Sequence, residues 1–369
     1  MIYGSGSGGT ALANITKTPA KTYKAIIRRR GPIVMKTFRT KADVKDWARQ
    51  VEDQMVRGAY IDGVGAERLS LEQALERYPL PSRARRGQTV ATHIGGKRWG
   101  RMRIIDAQVH LWRSGTANPP HLPHPFLVED AIRGMDEAGV DGAILHPPLS
   151  WDPDSNEQAI EAALANPRRF AILAYPPLDR PDSRTLVARM KERPGVLGLR
   201  FYFNQPHNRA WPTDGTLDWL WPTAEEAGLP VALLAGDWLP LLGRIAARHP
   251  DLKLMVDHMG ALRGAKGDAA FPNMGELDAL ARYSNVAVKL TGGPFYAEDG
   301  YPFRSLHKHY RVMYDAFGPH RLFWGTDITK MPCTWRECVT HFQAIDWIPE
   351  TDKRLIMGDA ICEWLGWQR

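Results

Sequence analysis

From residue 102 onward, short apolar runs alternate with longer segments that repeat apolar residues at helical spacing. Continuous apolar runs are typical of parallel strands buried on both faces. Repeated strand–helix units over about 250 residues predict an α/β fold, a (β/α)8 TIM barrel. An open doubly wound sheet would start with a glycine-rich first turn, which residues 106–110 lack. The predicted strands are 104–107, 142–146, 170–174, 196–203, 231–235, 252–256, 286–290 and 322–324, and helical stretches include 127–138, 217–227, 239–248 and 274–283.

The chain before residue 102 follows a different pattern. Two β-prone runs, 23–27 and 33–38, are separated by a Gly-Pro pair and predict a hairpin. Residues 42–57 place apolar side chains on one face of a helix, and a shorter helix is predicted at 70–78. We therefore predict a small N-terminal α+β appendage before the barrel. The expected organisation is a flexible Gly/Ser-rich leader (1–22), the α+β segment (23–78), a linker (79–101) and the barrel (102–369).

Charge divides the 369-residue chain at the same place. The net charge is +7, yet residues 1–101 carry 20 Lys and Arg against 8 Asp and Glu, whereas the rest carries 28 against 33. Only the first part has the charge to meet polyanions. No apolar run reaches the ~18 residues of a membrane span, and no secretory signal pattern opens the chain. We expect a cytoplasmic protein without a membrane partner.

The segment 23–62, from YKAIIRRRGPIVMKTF to RGAYID, resembles the N-terminal arm-binding module of phage-type tyrosine recombinases. The resemblance implies a small sheet with one helix that binds DNA. No recombinase catalytic domain follows, and the MRIIDAQVH string at Met102 looks like a natural start. We therefore interpret the segment as a fusion remnant or an upstream extension and do not expect a nucleic-acid partner. The alternative is a DNA-binding fusion protein.

Polar residues follow several predicted strands, at the barrel end that carries the active site in TIM-barrel enzymes. Imidazole, guanidinium and carboxylate groups that converge there indicate a hydrolytic or lyase-type site. We expect Asp327 to take a proton from water, with a pKa raised by burial. His110 and His258 would polarise a carbonyl or orient the water, and Arg200 would clamp a carboxylate. The predicted catalytic residues are Asp327, His258 and His110, and the predicted substrate-binding residues are Arg200, Gln108, His146, Tyr202 and Trp112.

Four strings at these positions, IIDAQVHLW, GLRFYF, MVDHMG and FWGTD, resemble the amidohydrolase-related family of barrel enzymes. That family contains lactonases, nonoxidative decarboxylases and hydratases, and the resemblance spans residues 102–369. The last three strings most resemble the 2-pyrone-4,6-dicarboxylate lactonase branch, which works without a metal. The resemblance implies that Asp327 is the catalytic Asp and that Arg200 holds a substrate carboxylate.

The metal question depends on two departures from metal-binding members of the family. Those members place His-x-His on strand 1 and a further His on strand 5. Here Gln108 takes the first position, and strand 5 ends in Leu234-Ala235. This leaves His110 and Asp327 as ligands, with His258 as a candidate third, whereas a catalytic zinc usually has three protein ligands. We predict no firmly bound cofactor and keep a divalent metal such as zinc as the alternative.

These observations predict a lactonase or esterase that hydrolyses a small carboxylated or aromatic cyclic substrate. An Asp that activates water without a metal needs an electrophilic carbonyl, such as that of a lactone. The alternative within the family is a metal-dependent nonoxidative decarboxylase. A small molecule is the expected partner, and assembly into a homo-oligomer is left open.

Overall fold

The computed structural model of the protein describes residues 13–18, 22–28, 33–38, 40–56, 93–94, 97–98 and 101–368. The chain divides into two units, Met1–Thr89 and Val90–Arg369.

The β-prone runs of the first unit form an antiparallel sheet of β1 (Ala13–Lys17), β2 (Tyr23–Arg28) and β3 (Ile33–Phe38), followed by α1 (Lys41–Val56). Thr40 Oγ1 accepts a hydrogen bond from the Asp43 amide at 3.2 Å and caps the helix. Val44 and Ala48, four residues apart on one face of α1, are buried. The predicted hairpin and helix are therefore confirmed.

Two segments of the first hundred residues differ from the prediction. The leader was expected to be flexible over residues 1–22, but β1 pairs along its whole length with β2. The Gly/Ser-rich composition of the leader does not indicate this pairing, because it depends on backbone hydrogen bonds to another strand. Within the predicted linker, β4 (His93–Ile94) pairs with β5 (Lys97–Arg98). The rest of the leader and the predicted helix at 70–78 lie outside the described residues.

The second unit is the predicted barrel. Its eight parallel strands are hydrogen-bonded in chain order, as expected when each strand is followed by a helix that returns the chain. The strands are β6 (Ile105–Val109), β7 (Gly142–Leu145), β8 (Phe170–Ala174), β9 (Val196–Tyr202), β10 (Val231–Leu234), β11 (Leu254–Val256), β12 (Val286–Thr291) and β13 (Leu322–Gly325). The helices are α2 (Val128–Ala138), α3 (Ser155–Ala165), α4 (Ser183–Ala188), α5 (Leu220–Glu226), α6 (Leu239–Arg248), α7 (Met274–Leu280), α8 (Gly293–Tyr296), α9 (His307–Phe317), α10 (Trp335–Gln343), α11 (Glu350–Arg354) and α12 (Ala360–Leu365).

Packing assigns different roles to the two ends of the barrel. Ile105 and Phe323, near the starts of β6 and β13, are fully buried in one apolar cluster with Ile361 and Leu365 of α12. The C-terminal helix therefore covers the amino end of the strands. Polar side chains collect at the carboxyl end instead, where the loops leave room for a ligand. Across the described ranges, no helix is long and apolar enough to span a bilayer.

The barrel is nearly closed where β13 approaches β6, and Gly325 permits this close approach. A Cβ at Gly325 would lie 2.6 Å from the Ala107 amide nitrogen and 2.8 Å from Asp106 Oδ1. We expect Gly325→Ala to lower the free energy of unfolding by about 1–3 kcal/mol, because neither backbone nor a buried carboxylate can give way. Thermal unfolding measures this change. Gly275→Ala is the control, since a Cβ there meets nothing within 4 Å. Equal stabilities of the two variants would contradict the prediction.

Candidate active site

A cavity of about 370 Å³ lies among the loops that follow the barrel strands. Five of the predicted site residues line it, whereas Gln108, His146 and Trp112 do not. The lining includes His110, His121, Trp151, Arg200, Tyr202, Asn204, His258, Arg263, Phe295, Tyr296, Asp327 and Lys330.

The end of β13 aims Asp327 into this cavity. Thr326 donates to the buried Asp106 carboxylate through its amide, at 2.8 Å, and through its hydroxyl, at 2.5 Å. The Asp327 amide then donates to the Gln108 carbonyl at 2.9 Å. Asp327 adopts a left-handed backbone conformation with φ 59°, and Asp tolerates this better than most residues. Strain held in place by surrounding hydrogen bonds is typical of functional positions.

The two carboxylate oxygens of Asp327 have different partners. Oδ2 lies 2.8 Å from the Lys330 ammonium. Oδ1 is buried, has no hydrogen-bond partner in the described part of the chain, and lies 3.3 Å from His110 Nε2. Burial alone would raise the pKa of Asp327, but the Lys330 charge and the nearby histidines hold it well below its ordinary value. The predicted rise was therefore wrong, because it did not include Lys330.

His110 lies beside the orphaned oxygen, with Nε2 3.3 Å from Asp327 Oδ1. Its Nδ1 lies 2.6 Å from the His146 carbonyl, which can only accept, so Nδ1 carries the proton. Burial lowers the pKa of His110 to about 3, so the ring is neutral and Nε2 is an acceptor. Two acceptors, His110 Nε2 and Asp327 Oδ1, thus face each other at 3.3 Å. This arrangement suits a donor or a cation that both atoms can bind.

His258 differs from His110, because hydrogen-bond donors lie beside its Nε2 atom. β11 ends just before Asp257, and left-handed φ values at His258 and Met259 turn the chain so that His258 enters the site. Its Nδ1 lies 3.3 Å from the Thr291 carbonyl and 2.9 Å from the Thr291 hydroxyl. Its Nε2 has two donors within hydrogen-bond distance, Gln108 Nε2 at 3.2 Å and Lys330 Nζ at 3.5 Å, and the acceptor Asp327 Oδ2 lies slightly farther away, at 3.6 Å. These partners assign the proton to Nδ1. His258 then has no N–H for a substrate carbonyl, so the polarising role that we predicted does not fit it.

A buried ion network lies beneath the cavity. Asp257 accepts from Lys289 Nζ and from Arg200 Nε, each at 2.9 Å, and Lys289 also donates to Gln108 Oε1 at 2.6 Å. Burial lowers the pKa of Lys289 to about 8, while the two cations hold the pKa of Asp257 far below its ordinary value. Gln108 therefore links this network to His258 and is not a substrate contact.

Arg200 was predicted to clamp a substrate carboxylate, but one edge of its guanidinium group already binds a carboxylate of the protein. Its Nε is bonded to Asp257, which excludes the Nε edge from a bidentate clamp. Its two terminal nitrogens donate to no described residue, and the guanidinium lines the cavity 5.0 Å from the centre of the Tyr202 ring. One edge of Arg200 thus remains for a ligand.

His146 and Trp112 support neighbours of the cavity. The His146 carbonyl accepts a hydrogen bond from His110 and so fixes the orientation of that ring. The Nε2 atom of His146 lies 2.9 Å from the Ala107 carbonyl. Trp112 is fully buried and packs edge-on against Trp151, whose ring does line the cavity. The predicted substrate contacts of His146 and Trp112 are therefore replaced by packing and hydrogen-bonding roles.

Sequence reasoning did not single out Lys330 or His121. Lys330 follows Asp327 by three residues on a 3-10 turn, a spacing that brings two side chains together. His121 lies in the long loop after β6, and nothing in the sequence indicates that this loop folds back over His110, with ring centroids 5.4 Å apart.

The loop histidine completes a group that can bind a metal. One ligand atom from each of His110, His121 and Asp327 lies within 4.8 Å of the others. Two imidazoles and a carboxylate are ligands that zinc prefers, and the orphaned Asp327 Oδ1 lacks a partner that an ion would supply. The residues present therefore fit a divalent cation, with His121 as the third ligand in place of His258, the candidate from the sequence.

Several known proteins are similar to this chain. The L-fucono-1,5-lactonase of Burkholderia ambifaria is 25% identical over 240 residues, which are 60% of this chain and 79% of that protein. An amidohydrolase from Burkholderia multivorans with bound Zn has a TM-score of 0.61 at 20% identity and covers 72% of this chain and 100% of its own. A probable 2-pyrone-4,6-dicarboxylic acid hydrolase from Acinetobacter baumannii, with citric acid bound, has a TM-score of 0.59 at 18% identity, with coverages of 72% and 100%.

The sequence model of the Amidohydrolase family matches residues 105–366, from the first barrel strand to the last helix. This range includes every residue of the cavity described above. It leaves the first unit outside, so the resemblance of residues 23–62 to a recombinase arm stays a prediction. The match covers more than half of the chain, and the protein therefore belongs to the Amidohydrolase family of enzymes.

Proposed function

We propose that the barrel hydrolyses a small cyclic ester, a lactone. The observation that carries this proposal is the pair of facing acceptors, His110 Nε2 and Asp327 Oδ1, at 3.3 Å. A water molecule has two hydrogens to donate to these atoms, and its oxygen lone pair then points into the cavity. The pair therefore orients a nucleophile.

The charges around the cavity suit the rest of such a reaction. When the water oxygen bonds to the lactone carbonyl carbon, one proton passes to the His110–Asp327 pair and the carbonyl oxygen becomes negative. Lys330 and the free edge of Arg200 line the cavity and stabilise that negative charge. The ring C–O bond then breaks, and the leaving oxygen takes the proton from the pair. The product is a hydroxy acid.

The lining favours a small substrate that has polar groups and a flat side. Asn204 Oδ1 is buried without a partner in the described chain and would accept from a substrate hydroxyl. Trp151, Phe295 and Tyr296 offer ring surfaces, and Arg263 is exposed at the mouth, where it would meet a carboxylate. The similarity to a sugar lactonase and the fold likeness to a probable pyrone dicarboxylate hydrolase support the same class of substrate.

The test is a panel of aldono-1,4- and 1,5-lactones and carboxylated aromatic lactones, incubated with the full chain. Hydrolysis releases a proton, which a pH indicator reports in weak buffer. We expect saturable turnover of at least one lactone well above the rate with heat-inactivated protein. Absence of turnover over the whole panel would refute the proposal.

A metal-dependent nonoxidative decarboxylase is the second candidate, and His121 is the observation that favours it. His110, His121 and Asp327 would hold the ion, which when bound supplies a Lewis acid for a carboxylated substrate. The remaining residues would act as before, with Arg200 binding the substrate and Trp151 closing the cavity wall.

Metal removal discriminates between the two functions. If the lactonase proposal holds, dialysis against EDTA leaves kcat within about twofold of the untreated protein, because the proposed mechanism uses no metal. Elemental analysis of the same samples gives the metal content before and after dialysis. Loss of lactone hydrolysis on chelation, with recovery on adding back zinc, would contradict the metal-free mechanism, whereas zinc-dependent release of CO2 from a carboxylated substrate would favour the decarboxylase.

A further inference from the structure

Lys330 is a buried cation whose position is fixed from several sides. Its side chain is 8% exposed, and Nζ lies 2.8 Å from Asp327 Oδ2 and 3.5 Å from His258 Nε2. The ring centres of Phe295 and Tyr296 lie 5.5 and 5.7 Å from Nζ, within reach of a cation–π interaction. The ammonium therefore stays at one point on the cavity wall.

This point lies beside the group that could bind a metal. Lys330 shares the Asp327 carboxylate with it, because Oδ2 contacts the ammonium while Oδ1 faces His110. A divalent ion on Oδ1 would lie within a few ångströms of a positive charge that cannot move away. Water and salt screen such a repulsion poorly in a buried site.

The other charged groups do not offset this repulsion. Arg200 and Lys289 are two further buried cations, and Asp257 is the carboxylate that pairs with both. Asp327 is the remaining carboxylate that faces the cavity, and Lys330 already neutralises it. A metal would thus enter a cavity lined by three cations, Arg200, Arg263 and Lys330, and one carboxylate, Asp327.

One N–H group of the Lys330 ammonium is not used by Asp327 or His258. A lysine ammonium has three N–H groups, and Asp327 and His258 accept two of them. Because Lys330 lines the cavity, the third can point towards a bound substrate. It would meet the carbonyl oxygen of a lactone attacked by water held at Asp327.

We propose that Lys330 supplies, from within the chain, the positive charge that a divalent metal would supply beside Asp327, and that it thereby weakens metal binding at His110, His121 and Asp327. The catalytic half of this proposal rests on the proposed lactonase function, whereas the metal-binding half does not.

The test compares zinc affinities, measured by competition with a chromophoric chelator, in the wild type and four variants of the full chain. Lys330→Met removes the charge, and Lys330→Arg keeps it. Lys353→Met is the matched control, because Lys353 is similarly buried, at 6% exposure, but bonds to Glu350 and the Gln343 carbonyl. Lys330→Met combined with His121→Asn tests whether a gain in affinity arises at the proposed ligands.

We expect Lys330→Met to bind zinc at least about tenfold more tightly than the wild type, with Lys330→Arg and Lys353→Met unchanged. The double variant should lose the gain. Cobalt should give a visible ligand-field absorption in Lys330→Met at concentrations at which the wild type shows none, and a cooperative thermal transition verifies folding. An unchanged zinc affinity in a folded Lys330→Met would overturn the proposal.

Activity in EDTA tests the catalytic half. Lys330→Met should lose about a hundredfold in kcat on the lactone that the panel identifies, and Lys330→Arg should retain more. Full activity of Lys330→Met would overturn this half. A wild type that hydrolyses no lactone would refute the proposed function and leave the zinc comparison valid, so the two failures are distinguishable.

Discussion

Asp327→Asn is expected to lower kcat for lactone hydrolysis by about 10³-fold while the chain stays folded. The amide keeps the size of the carboxylate and tolerates the left-handed backbone at this position. It cannot take a proton from the water, and it no longer neutralises Lys330, which lies 2.8 Å from Oδ2 in the wild type. Steady-state kinetics on the identified lactone measure the loss, and circular dichroism verifies the fold.

Asp237→Asn is the matched control for this variant. Asp237 follows β10 at the same end of the barrel but is exposed and does not line the cavity. The same substitution there should leave kcat within about twofold of the wild type, as is usual for surface positions. A kcat for Asp327→Asn above one tenth of the wild-type value would exclude Asp327 as the base.

The barrel was predictable because its signal is local. Each buried parallel strand is a continuous apolar run, and all eight predicted strands agree with the structure to within about two residues at either end. β6 differs most: its prediction stopped at Ala107, whereas the strand continues through Gln108 to Val109. The prediction ended β6 too early because Gln108 interrupts the apolar run.

Parts of the site were predictable for a second reason. Once a barrel is inferred, residues at strand ends must meet at one mouth, so Asp327, His258 and His110 could be placed together. Which of them donate and which accept could not be predicted, because this depends on partners such as the His146 carbonyl and Thr291. The spacing of residues in the sequence therefore predicts where these side chains lie but not which of their atoms carry a proton.

The remaining departures come from loops and from charge. His121 reaches the site through a loop whose path no periodicity describes. Lys330 was adjacent in sequence, yet a lysine after a strand is ordinarily an exposed residue. Its positive charge lowers the pKa of Asp327, which burial alone would raise. The charge balance of a buried site depends on all of its members, so one overlooked cation was enough to make the predicted pKa shift of its carboxylate wrong.

Asp257→Asn is expected to destabilise the barrel by about 3–5 kcal/mol, the largest loss of stability among these variants. Asp257 accepts from Lys289 and Arg200 at 2.9 Å each, and all three side chains are nearly or fully buried. The amide leaves two buried cations without their counter-charge. Urea unfolding of both proteins at neutral pH measures the difference.

A double variant separates the charge effect from a general loss of packing. Lys289→Met removes one of the two cations, so Asp257→Asn combined with Lys289→Met should be more stable than Asp257→Asn alone. The wild type should also lose stability as the pH falls through the ordinary carboxyl range, because Lys289 and Arg200 hold the folded-state pKa of Asp257 below its unfolded value. The acid-induced loss should be smaller in Asp257→Asn. If the single and double variants were equally stable, the ion network would not be what holds β11 and β12 together at this end of the barrel.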